Sequence, residues 1–145
     1  MTAAPSIVWF RDDLRLTDHP ALVAGAERGG PLVLLYLLDE TSPGVRPLGG
    51  AARWWLHHSL RALGDDIRAR GGQLVLRRGA AETVIPELVH ETGAGAVFWN
   101  RRYGASREVD ARLKRDLRSN GLDARSFAAS LLVEPVAVRT EQGTP

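Results

Sequence analysis

The chain has 145 residues, 44% of them hydrophobic and 25% charged, the balance of a single soluble domain that can bury a core. With no cysteine it has no disulfide, thiol nucleophile or thiolate metal site, and its four histidines (His19, His57, His58, His90) lack metal-ligand spacing. A net charge of +2 gives little support for a nucleic-acid partner, no apolar run approaches the roughly 20 residues of a membrane span, and no secretory signal opens the chain, so the cytoplasm is the expected compartment.

Strand-like and helix-like segments alternate from the start, which predicts βαβ units around a parallel sheet. Residues 6–10 form a first apolar run. Asp18 is the expected cap of the helix that follows, with Pro20 in its first turn and Gly29-Gly30 closing it. Leu32 to Leu38 is almost continuously apolar, as a strand covered on both faces should be. After the loop Thr41 to Gly50 comes a long helix whose Leu56, Leu60, Leu63 and Ile67 make one buried stripe.

Gln73 to Leu76 is a third strand, and a helix interrupted or started by Pro86 turns Ile85, Leu88 and Val89 inward. Ala96 to Trp99 is a fourth strand. The helix from about Ser106 to Asn120 buries Val109, Leu113 and Leu117, and its spacing predicts i,i+4 pairs of Glu108 with Arg112 and Asp110 with Lys114. Leu122 to Phe127 is a fifth strand. The tail from Leu131, ending Thr140-Glu141-Gln142-Gly143-Thr144-Pro145, reads as a linker. The expected fold is therefore α/β, a doubly wound five-stranded parallel sheet of order 3-2-1-4-5 with helices on both faces.

That order puts a switch point between the first and fourth strands, where open α/β sheets bind ligands. Arg11 and Asp12 leave the first strand, and Asn100, Arg101, Arg102 and Tyr103 leave the fourth. The charged cluster Arg11-Asp12-Asp13 either pairs internally to order its loop or offers a charge and an acceptor to a ligand, and the two roles are compatible. Asn100, Arg101, Arg102 and Tyr103, an amide, two guanidinium groups and an aromatic in four residues, suit a planar polar ligand, and Phe10, Tyr36 and Tyr103 are candidate apolar walls. Asp39 fits loop and cap chemistry but stands close enough in sequence to Tyr36 to share the crevice. In the pair Trp54-Trp55, neighbours about 100° apart on a helix, at least one ring is expected in the core. No acid, base and nucleophile set is present, Gly93-Ala94-Gly95 precedes a strand instead of following one, and no catalytic residue is nominated.

The run Trp9-Phe10-Arg11-Asp12-Asp13-Leu14-Arg15-Leu16-Thr17-Asp18-His19-Pro20-Ala21-Leu22 resembles the opening of the DNA photolyase and cryptochrome family, W-F-R-x-D-L-R-x-x-D-x-x-A-L, at every fixed position. Leu38-Asp39-Glu40, the helix Gly49 to Leu60, Trp99-Asn100-Arg101-Arg102-Tyr103 and Leu131-Leu132-Val133-Glu134-Pro135 extend the resemblance along the chain. The Trp-Trp-Leu-His-His-Ser-Leu and Trp-Asn-Arg-Arg-Tyr versions look most like bacterial photolyases related to plant cryptochromes. The resemblance implies an antenna domain over residues 1–130 and the start of an interdomain linker over 131–145. The helical domain that would hold FAD, bind damaged DNA and split pyrimidine dimers in light is expected to be absent. This chain alone is then expected to be inactive, with that C-terminal FAD-binding domain as its partner and no membrane contact.

The resemblance also frames the pigment. In one folate-binding type an Asn-Glu pair follows the strand-four tyrosine, where Ser106-Arg107 stands here. In deazaflavin-binding members an arginine near the start of the second helix touches the pigment; Ala52 takes that place, beside the candidate Arg53. The cryptochrome-like subgroup uses methenyltetrahydrofolate in a different pocket, which makes it the first choice ahead of deazaflavin or FMN. The alternative from another class is a stand-alone module binding ATP or AMP at the same switch point, although the strand-four exit has no glycine to cradle phosphate.

Overall fold

In the computed structural model, which describes residues 3–138, two strands have every residue buried: β1 (Ser6–Phe10) and β4 (Ala96–Asn100). They pair in parallel, Trp9 opposite Trp99, at the centre of a five-stranded sheet of order β3-β2-β1-β4-β5. β2 (Leu32–Leu38) and β3 (Leu74–Arg78) extend one side and β5 (Asp123–Phe127) the other, all parallel. The expected order is the observed one. The strand limits differ by one to two residues: β3 runs on through Arg77 and Arg78, paired with Leu37 and Leu38, and β4 includes Asn100.

Alternation along the central strands divides the core between the two faces. Val8, Phe10 and Phe98 pack with Ala21 of α1 (Pro20–Glu27) and with Leu63 and Ile67 of α2 (Gly50–Arg68). Ile7, Trp9, Val97 and Trp99 face the other way. They meet Ile85 and Leu88 of α3 (Ala81–Thr92) and Leu113 and Leu117 of α4 (Arg107–Ser119). α3 runs unbroken through Pro86, starts five residues before it, and ends on Gly93 at φ 66°, the left-handed turn that glycine accepts without strain.

The first helix corrects one expectation. Its cap is His19, whose Nδ1 accepts from the Leu22 N–H at 3.1 Å, while Asp18 lies outside at φ 50°. Pro20 is the reason. It occupies the first helical position and forces the residue before it to be extended, so His19 and not Asp18 falls at the cap.

α2 corrects another. Leu63 and Ile67 are buried, but Leu56 and Leu60 are only half-buried, and both Trp54 (59% exposed) and Trp55 (68%) face solvent. A 19-residue helix is about 28 Å long, against about 16 Å for the five residues of β3. The N-terminal half therefore overhangs the sheet, and neither tryptophan has a core to enter. On α4 the expected i,i+4 pairs give way to tertiary ones: Arg112 bonds Glu82 of α3 at 2.9 Å, and Asp110 turns inward. Beyond β5, residues 131–133 are exposed and Pro135–Ala137 form a short 3-10 turn. The linker reading of Thr140 to Pro145 lies outside the described residues.

Candidate ligand site at the ends of the central strands

Arg11, the first residue beyond β1, is buried and reaches α4. Its guanidinium grips Asp110 bidentately, Nη1 to Oδ2 at 2.5 Å and Nη2 to Oδ1 at 2.9 Å, and lies 4.2 Å from the Trp9 ring centroid. Burial lowers the Arg11 pKa most strongly. The Asp110 hydrogen bond opposes that effect, Arg102 adds to it, and the guanidinium remains a cation. Arg11 thus fastens the β1 exit to the first turns of α4.

A second buried group fastens the same loop to α1. The Asp13 carboxylate accepts from the Arg11 N–H (2.8 Å), Asn100 Nδ2 (2.5 Å) and His19 Nε2 (2.9 Å). Because His19 Nδ1 accepts from Leu22, its ring proton sits on Nε2 and is donated to Asp13. Asn100 Oδ1 accepts from the Ala21 N–H, so one amide ties β4 to both the loop and the helix. Desolvation is the largest influence on Asp13 and would raise its pKa; the hydrogen bonds from His19, Arg11 and Asn100 together outweigh it and hold the pKa below its ordinary value.

On the other side of β4, Arg101 Nε and Nη2 contact Glu134 at 3.3 and 3.2 Å, and Tyr103 donates its hydroxyl to the same carboxylate. That bond is the main cause of both the raised Tyr103 pKa and the lowered Glu134 pKa. Asp39 is fully engaged in turn chemistry. It accepts from the Thr41 and Ser42 N–H groups and, across the sheet end, from the Ala81 N–H that opens α3. Arg53 pairs with Glu40 at 2.8 Å and bonds the Leu48 carbonyl.

Two clefts open between these anchored loops. One, of about 190 Å³, is lined by Arg11, Asp12, Asn100, Arg101, Arg102 and Tyr103 among others. The other, of about 120 Å³, lies between the β1 and β2 ends and has Trp9, Tyr36, Asp39 and Val45 in its walls, again with Arg11, Asp12 and Arg102. The fold thus brings together seven of the nine expected residues: Arg11, Asp12, Tyr36, Asp39, Asn100, Arg101 and Tyr103. Phe10 is not a wall. It is wholly buried, its ring 4.8 Å from that of His19. Arg53 lines neither cleft.

Arg102 stands out within the strand-four cluster expected to meet a ligand. It lines both clefts, its Nε is buried without an acceptor, and no carboxylate pairs with it among the described residues. Asp12 is exposed at the mouth. Tyr36 keeps its phenolic proton, its pKa raised foremost by burial and also by Asp12.

A parallel sheet of order β3-β2-β1-β4-β5 with helices on both faces defines a doubly wound α/β domain. The DNA photolyase family model matches residues 6–145, and the chain belongs to that family. It is 48% identical to the deoxyribodipyrimidine photo-lyase of Agrobacterium fabrum over its whole length, covering 30% of that protein. It is 40% identical to cryptochrome-1 of Arabidopsis thaliana over 97% of this chain and 21% of the relative. The crystal structure of a bacterial class III photolyase from Agrobacterium tumefaciens superposes with a TM-score of 0.91 at 48% identity, over 100% of this chain and 30% of that one. The chain therefore spans less than a third of the length of these relatives.

Proposed function

We propose that this domain is the light-harvesting half of a deoxyribodipyrimidine photolyase and holds an antenna pigment in the crevice at the ends of β1, β2 and β4. The observation that supports this most is Arg102, which has no carboxylate partner and an Nε–H without an acceptor among the described residues, set in two clefts beside Asp12 and Tyr36. A flat heteroaromatic with ring nitrogens and carbonyls meets such a set, with Tyr36 and Trp9 as walls and Asp12 as an acceptor for ring N–H groups. Methenyltetrahydrofolate is the first choice, ahead of deazaflavin and FMN. In this reading the pigment passes excitation to FAD in the C-terminal domain of the parent protein, which acts on damaged DNA.

The absorption spectrum of the purified chain tests the reading, alone and after addition of methenyltetrahydrofolate, deazaflavin or FMN. A band in the near ultraviolet to blue that stays with the protein through gel filtration supports it. Absence of any retained pigment, together with adenine nucleotide released on denaturation, overturns it in favour of a nucleotide-binding module.

A further inference from the structure

On the α4 face, beyond Arg101 and Tyr103, lies a separate cavity of about 310 Å³ between β4, α4 and the chain that leaves β5. Trp99 lines its base. That residue is wholly buried, edge-on to Trp9, and its indole Nε1–H has no acceptor among the described residues. Arg102 is a further residue of the wall. Buried donors are nearly always paired in folded proteins, so an unpaired indole at the base of a cavity asks for a ligand that accepts. Arg101, Arg107 and Lys114 add three more cations. The two carboxylates present are already held, Asp110 by Arg11 and Glu134 by Arg101 and Tyr103.

We propose that this cavity is an oxyanion site for a phosphate group, free or carried as an ester on a small molecule, distinct from the pigment crevice. Phosphate suits it better than a carboxylate. Its oxygens present acceptors in four directions, whereas a planar carboxylate serves donors in one plane and would leave one of these groups unpaired. Lys114 reaches Ser126 Oγ and stands 5.9 Å from the Trp99 ring centroid, so one anion can answer both the lysine and the indole. Burial first, then repulsion from Arg118 and Arg101, lowers the Lys114 pKa; a bound anion relieves that crowding of positive charge.

The test follows the four tryptophan indole N–H signals by proton–nitrogen NMR while inorganic phosphate is added to the purified chain, with Trp99→Phe assigning its signal. The Trp99 signal is expected to move saturably, and those of exposed Trp54 and Trp55, which do not line the cavity, to stay fixed. Arg107→Gln, on the surface, and Lys114→Gln should each weaken binding by about tenfold, the share of one charge-assisted hydrogen bond. Adenosine monophosphate binding more tightly than phosphate identifies an ester ligand; equal or weaker binding identifies the free ion. The proposal falls if Trp99 does not respond, if chloride at equal ionic strength moves it as far, or if both variants bind undiminished. Neither variant touches the pigment crevice, so its failure is read separately.

Discussion

Arg11 and Asp110 lie 99 positions apart and meet in a buried bidentate pair that joins the first strand to the last helix. The pair ties the two halves of the doubly wound sheet together beside the two clefts that Arg11 lines. Its main duty is mechanical, and that changes how the conspicuous arginine of the opening motif should be tested.

Removing one partner strands the other charge in the interior. Arg11→Ala and Asp110→Ala should each cost about 3–5 kcal/mol, read from urea unfolding. The double variant should cost less than the sum of the two. Simple additivity would mean that the pair carries no coupling.

Arg102 offers the cleaner probe of the crevice. Arg102→Ala breaks no ion pair among the described residues and should change stability by no more than about 0.5 kcal/mol. It should still weaken pigment binding about tenfold, while exposed Arg118→Ala leaves binding intact. Equal losses in stability and binding would make Arg102 another fastening and not a ligand contact.

Asp13 gives the chain an acid limb. Its folded pKa lies below the ordinary 3.8, so its stabilisation is fully present above that value and is lost as pH falls through the folded pKa. Thermal melts should be insensitive to this group from pH 7 to 5 and fall below about pH 4. Asp13→Asn should melt lower at pH 7 and show a shallower acid decline; a parallel decline in both proteins would assign the limb to other carboxylates.

Gly25 tests the packing of α1. A Cβ there would sit 2.8 Å from Val8 Cγ2 and 3.2 Å from Leu32 Cδ2. Alanine usually strengthens a helix over glycine, but here overpacking should win, and Gly25→Ala should destabilise by about 1–3 kcal/mol in urea melts.

Duplex DNA should bind weakly at physiological salt, with no preference for irradiated DNA. Arginines on the surface are offset by neighbours, Arg77 with Glu91, Arg112 with Glu82 and Arg125 with Asp123, so few phosphates can be neutralised without breaking pairs. Submicromolar, damage-selective binding in a titration would show that this domain reads the lesion itself.

The sheet was legible because central parallel strands read as unbroken apolar runs, and Ile7 to Phe10 and Val97 to Trp99 are such runs. The crevice followed from topology alone. The commitments inside it did not. Local spacing paired Asp110 with Lys114, whereas the real partner comes from the other end of the chain. His19 was overlooked because capping preferences favour Asp18, although Pro20 carried the deciding signal. Helical periodicity showed which face of α2 turns inward but not where the sheet beneath it stops, and so misplaced Trp54 and Trp55.

That overhang divides the chain's intrinsic emission into two colours. Trp9 and Trp99 are 2% and 0% exposed, whereas Trp54 and Trp55 are largely in water. The first pair should fluoresce toward the blue and resist acrylamide, the second toward the red and be quenched at once. An event beneath α4 will therefore alter only the shielded emission, and a partner settling on the α2 shelf only the quenchable one. One cuvette can tell the two ends of the molecule apart.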